Sequence, residues 1–495
     1  MRKRVSKIAL SIVLSLGILT PGAAQEAVQA QEAVQAQEAA DELVLDLVGA
    51  VDYALAYNKS LMNARMEVER SDAGIWEAIS RGLPQVDGAM DFMTYFNYEL
   101  EFSFGMNEVP DFSPEEIQGA LDNTLAAFPG TSASDIYRHQ AGNFYDQQLQ
   151  ALLPPATILM SNQASAKLQV SQLIFSGQYI AGVQTAKLAK KISEQNLEFN
   201  ELNTKETVIN SYYLVLITEE SLEIVLQNLL NLTETLEQTQ NMFNAGMAEQ
   251  TDVDQIRITV SQLENSKKAL ERNVELNYNL LRFQLGLEPG VQITLSDDLE
   301  SLFVDMQPAS ALVLPFAIEN NVTYQIMLSQ EEINKKLVDL ENWNYAPTLA
   351  GFYNYTAKIL TTDFDMNPNH LAGLSLTVPI FSSGMRKARV DQARIDYEMA
   401  QTNRSILEDQ LLLQEKQVKY NLQSSLENLF TQKENVEVAQ SVFDSYSRKF
   451  EQGMATSLDL TQANGNYLDA ESNYITAMME VLNAKLQLDK LMNTL

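Results

Sequence analysis

The sequence predicts a mainly α-helical chain with a smaller β component, assembled twice over from a pair of strands and a long antiparallel coiled-coil hairpin. Three observations predict it: Gly- and Pro-free stretches far longer than ordinary helices, landmarks that recur at one offset, and short segments with period-two alternation.

After Gly182 no Gly or Pro occurs until Gly246, and after Gly246 none until Gly286. At 1.5 Å per residue the first run makes a rod of roughly 95 Å, about three times the apolar thickness of a bilayer. Lys190, Lys191, Glu194, Glu198, Glu201, Lys205 and Glu206 make it too polar to lie in lipid. Its apolar positions form a narrow seam instead. Leu222, Val225, Leu229, Leu232 and Leu236 alternate steps of 3 and 4, and Val253, Ile256, Val260, Leu263, Leu270, Val274 and Leu281 answer them in the next run. Two such seams joined through Asn244, Ala245, Gly246 and Met247 predict a hairpin.

The second half repeats the plan. Met385 to Gln452 is again free of Gly and Pro, and the run after it carries the seam Leu460, Ala463, Tyr467, Ala470, Tyr474, Ala477, Val481, Ala484 and Leu488. Ile174, Phe175, Ser176 and Gly177 are echoed by Ile380, Phe381, Ser382, Ser383 and Gly384. Tyr213 is echoed by Tyr420, and Phe243, Gly246, Met247 and Asp252 by Phe450, Gly453, Met454 and Asp459. The offset is 206 at the first landmark and 207 at the later ones, the extra Ser before Gly384 making the difference. One offset held this far marks an internal duplication.

Four segments alternate with period two. Val86 to Phe104 puts Met90, Phe92, Phe96, Tyr98, Leu100, Phe102 and Phe104 on one face and Asp87, Asp91, Asn97, Glu99 and Glu101 on the other. Ala166, Leu168 and Val170 oppose Lys167, Gln169 and Ser171, and the second half has Leu349, Tyr353 and Tyr355, then Ala372, Leu374, Leu376 and Val378. These predict two strand pairs, joined by residues 105–164 in the first half and 361–370 in the second. Pro110, Pro114, Pro129, Pro154 and Pro155 mark the first connection as a long loop with one short helix near Pro114 to Ala127.

The N-terminus reads as an export signal. Arg2, Lys3, Arg4 and Lys7 precede the apolar run Ile8 to Leu19, and small Gly22, Ala23 and Ala24 follow, which predicts a cleaved signal peptide over 1–24. A low-complexity spacer occupies 25–40. The first repeat, a helix, the strand pair and the long helical hairpin, is then expected over 41–286, a linker with Pro289, Gly290 and Pro308 over 287–310, and the second repeat, a helix, its strand pair and its hairpin, over 311–495. No Cys occurs, which excludes a disulfide framework, thiol chemistry and Cys-based zinc sites. A net charge of −31 argues against nucleic acid or anionic lipid as a partner. His139 and His370 fall in predicted strand connections, and the chain has neither a Gly-x-Ser-x-Gly turn nor a Gly-rich phosphate loop, so enzyme chemistry is not expected.

Strand pairs of this kind cannot bury both their edges and an apolar face within one chain. The aromatic face with Phe92, Phe96, Tyr98, Tyr353 and Tyr355 is expected to meet lipid, where only a closed barrel satisfies the backbone. Several copies must then share one barrel. A soluble β cap on a coiled coil is the alternative, and with it a non-conducting periplasmic or surface scaffold.

The duplication, the Ile-Phe-Ser-Gly lead into each long helix, and the turn pattern from Phe243 to Asp252 and from Phe450 to Asp459 resemble the TolC-like outer-membrane efflux channels, from about Leu45 to Leu495. That resemblance implies a homotrimer with four strands per chain closing a transmembrane β-barrel, continuous with a helical barrel about 100 Å long. It implies an exit duct of a tripartite efflux or type I secretion system in the outer membrane of a Gram-negative-type cell. An inner-membrane transporter and a periplasmic adaptor (membrane fusion) protein would load it, outer-membrane lipid would surround it, and no cofactor or metal would be required.

The resemblance also implies sites. Gly246, Met247, Gly453 and Met454 would form adaptor-docking tips, although a left-handed helix cap explains the glycines without a partner. Asp252 and Asp459 correspond to the family's entrance acids, which in three copies would form rings that select cations and bind a blocking multivalent one. Each acid equally suits a helix N-terminus, close to Thr251 and Ser457. The family pattern has a second acid where this chain has Gln462, an arginine where it has Ala455 and a tyrosine where it has Phe450. An entrance lock is therefore expected to rest on packing around Phe450 and on other bridges.

Overall fold

The fold is given by a computed structural model. The structure describes residues 43–94, 96, 98–102, 113–127, 129–130, 132, 134–135, 156–160, 162–360 and 368–495. The expected signal peptide, the spacer at 25–40, Phe104 and His139 lie outside the described residues. The chain divides into two compact units.

The first unit comprises Gln184–Val338 and Arg389–Leu495 with the chain up to Ile75. Its frame is two helical hairpins: α4 (Gly177–Asn244) with α5 (Gln250–Leu285), and α8 (Met385–Glu451) with α9 (Ser457–Met492). Helix α4 begins before the Gly-free run and continues through Gly182, a residue with open space around it. The seam residues are where the core forms. Leu232, Val253, Ile256, Val260, Leu263, Leu460, Ala463, Ala470, Ala477, Val481, Ala484 and Leu488 are all buried, with Tyr467 and Tyr474 half-buried between the alanines. Small and large side chains alternate along α9, so the neighbouring helices interlock.

A pair of asparagines lies within this seam. Asn228 on α4 and Asn464 on α9 are 4% and 1% exposed, and each side-chain amide donates to the other's carbonyl oxygen, at 2.9 and 3.1 Å. A buried amide with both hydrogen-bonding ends engaged is tolerated in an apolar seam; one facing Leu is not.

The linker expected over 287–310 holds structure of its own. Strand β1 (Leu43–Leu45) pairs in parallel with a strand at Ile293–Leu295, and a short helix follows at Leu299–Met306. Asp297 ties this patch down, accepting from the Leu47 amide at 2.7 Å and the Tyr212 hydroxyl at 2.9 Å. Burial, then the neighbouring Asp297 carboxylate, pushes the Tyr212 hydroxyl far above its ordinary pKa, so it remains a donor. The missed strands are three residues each, too short for a period to register.

Helix α5 ends at Gly286, whose φ of 78° is left-handed and whose added Cβ would lie 2.6 Å from the Tyr57 carbonyl oxygen. Gly286→Ala is expected to destabilise the protein by about 1–2 kcal/mol from the backbone conformation alone, and further through that contact. Urea denaturation of the variant checks it; an unchanged midpoint would contradict the assignment.

The second unit, Trp76–Val183 and Asp339–Ala388, holds the sheet. Its main strands are β2 (Gln85–Met93), β5 (Gln163–Phe175), β7 (Thr348–Leu360) and β8 (His370–Thr377), hydrogen-bonded in the order β2-β5-β7-β8, all antiparallel. The register aligns one apolar face across all four strands. Val86 faces Val170, Met90 faces Ala166, Leu168 faces Tyr355, Val170 faces Tyr353, and Leu349 faces Leu376. The opposite face carries Asp91 and Lys167, whose side chains pair at 2.8 Å. Among the described residues the sheet does not close: β2 and β8 each have one neighbour.

Three expectations are corrected here. The single strand expected from Val86 to Phe104 is two, because Phe96 adopts a left-handed φ of 52° between Met93 and Tyr98 and breaks the ladder. The second piece, β3 (Tyr98–Phe102), pairs with β4 (Ala156–Met160), so residues assigned to the 105–164 loop are in fact strand. His370 is not a loop residue either; it opens β8 opposite Tyr355, and its Nδ1 lies 2.8 Å from the Tyr353 hydroxyl. The connection also contains a helix, α3 (Pro114–Ala127).

Candidate entrance at the hairpin tips

The turns that close the two hairpins are built alike, atom for atom. In the first, the Gly246 amide donates to the Phe243 carbonyl at 2.9 Å and the Met247 amide to the Met242 carbonyl at 2.8 Å. In the second, Gly453 donates to Phe450 at 2.9 Å and Met454 to Lys449 at 2.8 Å. These paired bonds, with φ of 76° at Gly246 and 70° at Gly453, are helix ends closed by a left-handed glycine. The methionine after each glycine is left in the open, Met247 at 75% and Met454 at 67% exposure.

The following helices start on reciprocal caps. Asp252 accepts from the Glu249 backbone amide at 3.0 Å, and Asp459 from the Thr456 amide at 3.0 Å and hydroxyl at 2.7 Å. The N-caps are Glu249 and Thr456, so each acid does sit in the first turn of a helix, close to Thr251 and Ser457. The Thr456 hydrogen bonds hold the Asp459 carboxyl below the usual carboxylate range, which keeps it charged at neutral pH.

The acids differ in one respect the sequence did not reveal. Asp252 spends its second oxygen on the other hairpin: the buried Ser457 hydroxyl donates to its Oδ1 at 2.6 Å. Asp459 has no such contact among those described, and its caps lie within its own helix. Ser457 could have been found only by placing the two tips side by side.

Beneath these turns Phe450, Leu232, Ile256, Val260, Leu263 and Leu460 form a compact apolar cluster that draws on all four helices. Phe450 is 7% exposed, so its ring is a core residue. Gln462 is exposed and donates to Asn466 one turn on, at 3.0 Å, away from this cluster. Sequence reasoning also passed over Glu220 and Glu471, whose carboxyls are raised by burial and by neighbouring acids.

Comparison with known proteins bears on this arrangement. A family model described as outer membrane efflux protein matches residues 159–287 and 331–494. The chain is 21% identical over 341 residues to outer membrane protein TolC of Vibrio cholerae, covering 68% of this chain and 78% of that one. It is 22% identical over 395 residues to outer membrane protein TolC of Salmonella enteritidis, covering 77% and 80%. The crystal structure of the outer membrane protein VceC from Vibrio cholerae superimposes with a TM-score of 0.63 at 16% identity, over 90% of this chain and 95% of that chain.

Proposed function

This chain belongs to the outer membrane efflux protein family, and on that premise we propose that it is the exit duct of a tripartite efflux or type I secretion system. Three copies close a barrel of twelve strands, β2 of one chain against β8 of the next, and their hairpins continue the bore across the periplasm. An inner-membrane transporter and a periplasmic adaptor load it, and the exposed Met247 and Met454 at the glycine turns are where the adaptor docks. The channel performs no bond chemistry.

The observation that carries this reading is the open sheet. An apolar face aligned across four strands, with Met90 78% and Leu374 73% exposed and both edges unpaired among the described residues, is unstable in water but complete in a barrel within lipid. No helix among the described residues is long and apolar enough to cross a membrane. Detergent extraction followed by mass determination tests it: the expected particle is a trimer that precipitates when detergent is withdrawn. A monomer soluble in plain buffer would favour the scaffold reading.

At the entrance, Asp459 supplies an acidic ring from three copies and Asp252 holds the tips together through Ser457. Asp459→Ala is expected to weaken block of the channel by a trivalent cation by about tenfold or more, through loss of three converging charges. Unchanged block in that variant would remove Asp459 from the ring.

A further inference from the structure

A net charge of −31 sets the chain as a whole against anionic surfaces, yet the 65 acidic residues leave both strand-to-helix junctions free. None falls in 366–390, which runs through β8 into the first turn of α8 and carries Arg386, Lys387 and Arg389 instead. The matching junction of the first repeat behaves alike, with no acid between Asp146 and Glu194.

The sheet unit presents this stretch to its surroundings. Ile380 is 90% and Phe381 84% exposed, among the most exposed large apolar side chains of the described residues. Ile174 and Phe175, their counterparts, are exposed as well. Arg386 is steadied by donating to the Pro379 carbonyl at 3.3 Å and by lying over the Tyr345 ring, 5.8 Å from its centroid. Neither contact neutralises its charge. Lys387 is exposed, and among the described residues no carboxylate forms an ion pair with either cation.

Resting on the membrane reading above, we propose that the strand-to-helix junction Ile380 to Lys387 is a seat for phospholipid phosphate groups at the inner face of the bilayer. Ile380 and Phe381 enter the boundary of the acyl chains. Arg386 offers a planar fork to one phosphate and Lys387 a point charge to another, with their stems lying along the apolar surface. The global charge repels such lipids; the acid-free window lifts that repulsion where contact is made. The seat therefore favours anionic over zwitterionic phospholipid.

The test reconstitutes the full chain into vesicles of phosphatidylcholine containing a minor share of spin-labelled phosphatidylglycerol or spin-labelled phosphatidylcholine, and measures the relative association of each label. Wild type is expected to prefer the anionic label, and Arg386→Gln with Lys387→Gln to lose that preference by about fivefold per cation removed. A control with Lys416→Gln and Lys433→Gln, farther along α8, removes the same charge and should keep the preference. Added salt should erode the wild-type preference, a readout independent of whether the variant folds. Equal association of both labels with wild type, or a preference insensitive to salt and to the double substitution, overturns the seat and leaves the channel reading standing. Failure of wild type to enter either vesicle overturns both. Loss of the oligomer in the double variant but not in the control assigns the junction to contact between copies and also overturns the seat.

Discussion

Asn464→Leu is expected to lower the unfolding free energy by about 1–3 kcal/mol, because it leaves the Asn228 amide buried with no partner. Asn228→Leu should cost about the same, for the mirror-image reason. Making both changes together should recover most or all of the loss, since Leu against Leu simply continues the seam. The double-mutant cycle thus has a large coupling term of about 1 kcal/mol or more, read from denaturation midpoints. Additive single effects would contradict the reciprocal pairing. The pair also specifies alignment: sliding α4 against α9 by one turn would bring each amide among Leu and Val. The recovered variant should therefore hold its tips less uniquely. Because the chain has no Cys, a disulfide between cysteines placed at Asp252 and Ser457 reports that alignment without background. Its yield should fall when both asparagines are Leu.

The second large effect is expected at Ser457. Its hydroxyl bonds an ionised acceptor, and such bonds contribute about 1.5–3 kcal/mol. Ser457→Ala is accordingly expected to shift the entrance from closed toward open by about tenfold or more, seen as a higher mean current under conditions where wild type is mostly shut. Asp252→Ala should open it further while also costing about 0.5–2 kcal/mol of stability through the lost helix cap. Asp252→Asn keeps one acceptor oxygen where Asp252 uses two, so it should retain either the helix cap or the bond from Ser457 and fall between wild type and Asp252→Ala. Wild-type current in Ser457→Ala would show that the hairpins are held by the Phe450 cluster alone.

What the sequence made legible follows from the length of the signal. The α9 seam runs over eight turns of regular spacing, and its residues from Leu460 to Leu488 are buried or half-buried as their spacing requires. The glycine turns were legible because only glycine takes the left-handed conformation cheaply at Gly246 and Gly453. Signals confined to one residue or to distant partners were not. Phe96 breaks a strand in a conformation that its side chain does not announce, and Ala156–Met160 is strand only because Tyr98–Phe102 lies beside it. His370 looked like loop because Pro368 and Asn369 precede it, while its pairing with Tyr355 is a long-range fact. At the hairpin turns, sequence spacing located Asp252 and Asp459 but treated them as equals. The hydrogen bond from Ser457, 205 residues away, is what separates a tie between hairpins from an acid bonded only to its own helix cap.

The central claim is that a chain with an unclosed four-stranded sheet completes a pore by joining identical copies in a membrane. Single-channel recording of the purified, detergent-extracted protein in a planar bilayer tests it most directly. The account predicts discrete current steps, cation-selective and larger in Ser457→Ala. A protein that inserts or adsorbs without any current, in wild type and in Ser457→Ala alike, would contradict it.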